Sequence, residues 1–177
     1  MAFHLDYDRW IHLDAEKLAE GGIERAYEAL MPELKRYVQR PAQIEETVDN
    51  DAPLYSVTFA GREFVILGPE DDENGSSWGP ATFALFAIIN DQLAHGDHRF
   101  YAINGGNDLG GMFLTPAQAR AAQEALPKRS DWPYLPDDRP PWFGQYHLRA
   151  HGSSPPLDRS EYGTGLSRGA AGRYLHA

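Results

Sequence analysis

Residues 99–115 read RFYAINGGNDLGGMFLT. Phe100, Tyr101 and Ile103 on one side, and Met112, Phe113 and Leu114 on the other, are residues that pack well on a pleated surface. Between them stand four glycines with Asn104, Asn107 and Asp108. Glycine takes positive φ without a steric cost, and Asn and Asp tolerate it or bond their own backbone, so the chain can turn sharply here. The stretch predicts a strand, a polar corner and a returning strand. Thr115, Pro116 and Gln118 then spell a helix start: a cap, a proline at the first helical position and a side chain that reaches back.

Working outward, the same logic gives an α+β domain. Tyr55, Val57 and Phe59 alternate with Ser56 and Thr58 in residues 54–60, Gly61 turns the chain, and residues 62–67 return with the run FVIL, together a β-hairpin; residues 44–49 are a further short strand. Asp14 is placed to cap a helix whose apolar positions recur at Ile23, Tyr27, Leu30, Leu34 and Val38. Gly21-Gly22 and Pro32 interrupt that segment, which predicts a kinked helix or two in succession. Pro80 is expected to open a helix over residues 81–94 that is apolar almost all round in its first half and therefore buried between layers. The expected architecture is a mainly antiparallel sheet of four to five strands with helices packed on it. Residues 127–147, with five prolines and five aromatic residues, read as an irregular arm. Residues 1–147 form the expected domain, and residues 148–177, rich in Gly, Ser, Ala and Arg, a flexible tail.

The chain of 177 residues carries a net charge of −10. Its charge is uneven: residues 1–75 hold 17 acidic and 7 basic side chains, whereas residues 76–177 hold 9 of each. Phosphate backbones need the opposite sign, so nucleic acid is not an expected partner. A basic protein would be steered in. There is no cysteine, which removes disulfides and thiolate chemistry and suits a reducing cytoplasm. The N-terminus lacks the basic start and apolar run of a secretory signal, and no run is long enough to cross a membrane.

Catalytic signatures are sparse. No phosphate-binding G-K-[ST] occurs. The glycines at 105–111 match no G-x-G-x-x-G and lead into a strand where that fingerprint requires a helix, so no dinucleotide and no other cofactor is expected. His95 and His98, with Asp108, offer nitrogen and oxygen ligands to zinc, though at no standard motif spacing. Asp108 in a cleft would serve as a general base. Turn chemistry assigns Asn104, Asn107 and Asp108 instead to the backbone of their own corner. The acids Glu70, Asp71, Asp72 and Glu73 are consecutive, unlike the alternating ligands of a calcium loop, and read as an exposed loop.

Three segments, LDAEKLAEGGIERAYEALMPELKRYV, REFVILGPEDDENGSSWGPATFALFAIINDQL and RFYAINGGNDLGGMFLTPAQA, resemble the small acidic immunity proteins of bacterial toxin systems. The resemblance spans about residues 10–145. It implies a cytoplasmic protein that binds a cognate toxin and blocks its active site. Charge and exposure, not the resemblance, give the expected contact residues: surface acids of the first half, Glu70, Asp71, Asp72 and Glu73 above all, with Asn107 and Asp108 at the corner. The competing reading is a small hydrolase or metal-dependent enzyme using Asp108 with His95 and His98.

Overall fold

The computed structural model describes residues 4–71 and 77–146. The fold is α+β, with two three-stranded antiparallel sheets and four α-helices. In chain order these are β1 (Ile11–His12), α1 (Ala15–Ala19), α2 (Ile23–Leu34), β2 (Glu45–Asp49), β3 (Leu54–Phe59), β4 (Arg62–Leu67), α3 (Trp78–Gln92), β5 (Arg99–Ile103), β6 (Gly110–Leu114) and α4 (Pro116–Ala125).

The opening stretch folds as its residues dictate. β5 and β6 pair antiparallel, with Phe100 opposite Phe113 and Ile103 opposite Gly110. The expected single sheet is replaced by two. One is ordered β1-β6-β5 and the other β2-β3-β4. The reason lies in α3, which buries Ala81, Thr82, Ala84, Leu85, Phe86, Ile88 and Ile89. A helix apolar on every side needs cover on every side, and α3 packs on β4 as well as β5. The free edge of β6 is filled by β1, through Ile11 opposite Gly111 and His12 opposite Gly110.

Local signals decide the ends of the elements. Asp14, at φ 58°, accepts from the amides of Glu16 and Lys17 and caps α1. Gly21 at φ 83° ends that helix, so α1 and α2 are two helices in succession and the break falls at the glycines, with Pro32 inside α2. The break also puts Glu16 on α1 and Glu24 and Glu28 on α2, so these acids, spaced four apart with Glu20, do not share one helix. The hairpin turn places Ala60 and Gly61 at positive φ, the geometry that matches the twist of the flanking strands. Thr115 and Gln118 form the full capping box of α4. α3 starts at Trp78, so Pro80 is its third residue and not its first.

The core of the first sheet is a run of stacked rings. Phe86 of α3 lies on Phe100 with centroids 4.7 Å apart, Phe100 meets Phe113 at 4.6 Å, and Phe113 stacks on Tyr37 at 4.7 Å. Gly111 makes room for this: a Cβ there would sit 2.1 Å from Cζ of Phe100. Gly111→Ala should therefore lower stability by about 1–3 kcal/mol, the usual cost of overpacking a filled core. A urea unfolding midpoint equal to that of the wild type would show that the ring yields freely.

Candidate functional site

The corner between β5 and β6 is a short 3-10 turn at Gly106–Asp108. Asn104 and Gly106 both stand at φ 59°. The turn is closed by backbone bonds, from the Asp108 amide to the Gly105 carbonyl and from Leu109 to Gly106. The side chains expected to bond their own corner do otherwise. Asn107 is exposed and donates through Nδ2 to Oε2 of Glu16 at 3.1 Å, tying the corner to α1. The Asn104 amide, oriented by its surroundings, lies 2.9 Å from the Ser130 carbonyl. Asp108 is exposed. Asn107 and Asp108 thus stand on the outside of the corner, while Trp78, 38% exposed, lays its ring over Gly106.

The enzyme constellation is not assembled. His95 and His98 precede β5 and Asp108 follows it, so a strand on the order of 15 Å long lies between them. His95 is exposed, and His98 binds Oδ1 of its neighbour Asp97 at 2.6 Å and packs against Tyr37. That bond holds the Asp97 carboxyl below the usual carboxylate range. Among the described residues no group of three or more His, Asp or Glu is placed to share a metal ion.

The acidic loop divides. Asp72 and Glu73 lie outside the described residues. Glu70 is exposed. Asp71 accepts from the Gly68 amide at 2.6 Å, and so closes the turn that ends β4.

More acids sit on the second sheet than the sequence pattern had suggested. Residues directly opposite across a sheet share a face. Thr58 faces Glu45 on one side and Glu63 on the other, and Ser56 faces Thr47 and Val65. The reverse face, with Val57 and Phe64, is buried on the core. The outward rows therefore present Glu45 and Glu63 about 10 Å apart, two strand spacings. Val65 is 52% exposed beside them. Asp49, Asp51 and Glu70 are exposed at the far end of the sheet. No Lys or Arg occupies an outward position of these three strands.

Three side chains that pattern reading overlooked hold this scaffold. Glu46, on the inward face of β2, accepts from the amides of Ile23 and Glu24 at 3.0 and 3.3 Å and from the Tyr55 hydroxyl at 2.5 Å. It caps α2, whose own N-cap residue, Gly22, has no side chain to do so, with a carboxylate at the positive end of the helix. The signal for it was an acid at an inward strand position. Asn90, an amide on an otherwise apolar helix, exchanges two hydrogen bonds with the Phe100 backbone. Arg99 donates to the carbonyls of Leu93, Ala94, Gly96 and His98 and closes the end of α3. Asn90 and Arg99 also line a cleft of about 380 Å³ with Phe59, Arg62, Phe64 and Asp91. Their polar atoms already serve the backbone there, so the cleft is a structural seam.

Burial, and then the bond to Glu46, push the Tyr55 hydroxyl well above its ordinary value of 10.0. A raised folded value means that the stabilisation is complete below pH about 10 and is lost as the pH rises beyond it. Tyr27 and Tyr101, also raised by burial, share that loss. Tyr55→Phe should lower stability near neutrality by about 1–3 kcal/mol, through the Glu46 bond, and flatten the alkaline decline. Denaturant melts between pH 8 and 11.5 read both; an unchanged alkaline slope would remove Tyr55 from this account.

No family model, no curated protein and no solved structure matches this chain.

Proposed function

We propose that the chain is an acidic binding protein for a basic protein, and that it works in the cytoplasm as an immunity protein neutralising a bacterial toxin. The observation that supports this most is the outward face of β2, β3 and β4. It combines an exposed Val65 with Glu45, Glu63 and Asp49, has the exposed Glu70 three residues beyond the end of β4, and carries no Lys or Arg at an outward strand position. An apolar centre among charges of one sign is the anatomy of a docking surface. Its charge speeds encounter with a partner of the opposite sign.

Among the described residues both edges of this sheet are unpaired, since β2 and β4 each have one neighbour. Charged side chains on such edges also discourage pairing with further copies. The acids are thus compatible with a surface that meets one class of partner and repels its own kind. The competing hydrolase or metal-enzyme reading needs Asp108 near His95 and His98, and β5 holds them apart. No helix among the described residues is long and apolar enough to cross a membrane.

Protection is the test. A cell producing a basic toxin encoded beside this chain should grow when the chain is co-expressed, and the two proteins should co-purify. The triple variant E45K/E63K/E70K, altered only at exposed positions, should associate at least about tenfold more slowly at low salt, with the difference shrinking as salt is added. Failure to protect against any such toxin would overturn the reading. An unchanged association rate would move the docking surface elsewhere.

A further inference from the structure

A second recess lies on the first sheet, beside the corner. It is an open cleft of about 490 Å³ lined by Tyr7, Trp10, Ile103, Asn104 and Asp131. These residues come from three separate segments, so no sequence motif marks them. Tyr7 and Trp10 form two tilted walls, with centroids 6.3 Å apart and an interplanar angle of 38°. Tyr7 is 56% exposed, whereas Ile103 is fully buried at the base. Trp10 is set by the glycine beneath it: a Cβ on Gly110 would fall 2.0 Å from Cζ2 of the indole.

The polar end is equally well fixed. The Asn104 amide nitrogen of the backbone donates to the Ser130 carbonyl, and the Asn104 carbonyl accepts from the Tyr134 hydroxyl. Oδ1 of Asp131 accepts from the Ser130 hydroxyl at 3.2 Å and from the Asn104 side-chain amide at 3.3 Å. Among the described residues no Lys, Arg or His forms an ion pair with it. Asp6 and Asp8, on either side of Tyr7, are exposed and add negative charge near the mouth. Arg9, the nearest cation in sequence to Tyr7 and Trp10, is bonded to Glu33 and Tyr37, and Arg129, two residues before Asp131, donates to the Tyr146 carbonyl and lies over the Trp132 and Tyr146 rings.

Aromatic faces attract cations electrostatically. A carboxylate next to them favours a guanidinium over an ammonium, because the planar fork can stack on a ring and donate two parallel hydrogen bonds at once. The cleft is open, which suits a side chain presented on a protein surface. We propose that it receives an arginine side chain of the basic partner, stacked on Trp10 beside Tyr7 and hydrogen-bonded to Asp131. The partner's nature rests on the function proposed above; the affinity of the cleft for a guanidinium does not.

The test therefore uses a small probe. N-acetyl-arginine amide is titrated into the ¹⁵N-labelled protein, and the Trp10 indole and Asn104 backbone signals are followed. Saturable shifts at both are expected, with weaker binding of N-acetyl-lysine amide and none of the neutral N-acetyl-citrulline amide. Tyr7→Ala should weaken binding by roughly two- to fivefold through loss of one wall. Asp131→Asn should weaken it by at least as much, and signals far from the cleft show whether either variant is still folded. Shifts produced equally by citrulline amide, or unaltered by both substitutions, would overturn the proposal. A cleft that binds arginine in a chain that protects no cell would overturn only the toxin-neutralising reading.

Discussion

The stack of Phe86 on Phe100 is the contact on which the rest of the structure depends. It joins the central helix to the first sheet, Phe113 and Tyr37 extend the stack, and Phe83 of the same helix meets Phe64 of the second sheet. Each ring brings a large apolar area and a preferred geometry. Phe100 can lie where it does only because Gly111 leaves the facing strand bare. The glycines of the corner thus divide into two uses. Gly106 provides backbone freedom at positive φ, and Gly110 and Gly111 provide empty space for Trp10 and Phe100.

The two sheets treat their edges differently, and that difference shapes what each can do. The outer edge of β5 is closed: Asn90 takes the Phe100 backbone, Tyr134 pairs with Ala102, and Ser130 accepts from the Asn104 amide. Segment 127–146 therefore completes this sheet's hydrogen bonding as well as contributing rings. Among the described residues no segment pairs with the edges of the second sheet. Glu45, Thr47, Glu63 and Val65 of its outward face are exposed, with like charges to discourage pairing. An exposed face of that kind must either repel all comers or be matched by a partner, and charge complementarity decides which.

The proposed docking elements use distinct physics on distinct sheets. Glu45, Glu63 and Glu70 act at long range through their summed field. Tyr7, Trp10 and Asp131 act at contact, where stacking and a directed hydrogen bond discriminate one cation from another. Long-range attraction sets how often a basic partner arrives, and a fitted cleft sets how long it stays.

The sequence by itself determined what is local. Strand β5, its corner and β6, the hairpin around Gly61, the Asp14 cap, the Thr115 capping box and the burial of α3 all follow from residues within a few positions of one another. It also determined the sign of the charge. Tertiary structure alone decided the rest. The division into two sheets arose because an all-round apolar helix needed two covers. Glu46 became the cap of a helix 23 residues away, Asn107 reached Glu16 across 91 residues, and Tyr7 came to stand beside Asp131. Apart from the inward strand position of the Glu46 acid, none of these has a periodic or short-range signature. Each depends on where the aromatic core lets the backbone pass, which is fixed only when distant segments pack at full density.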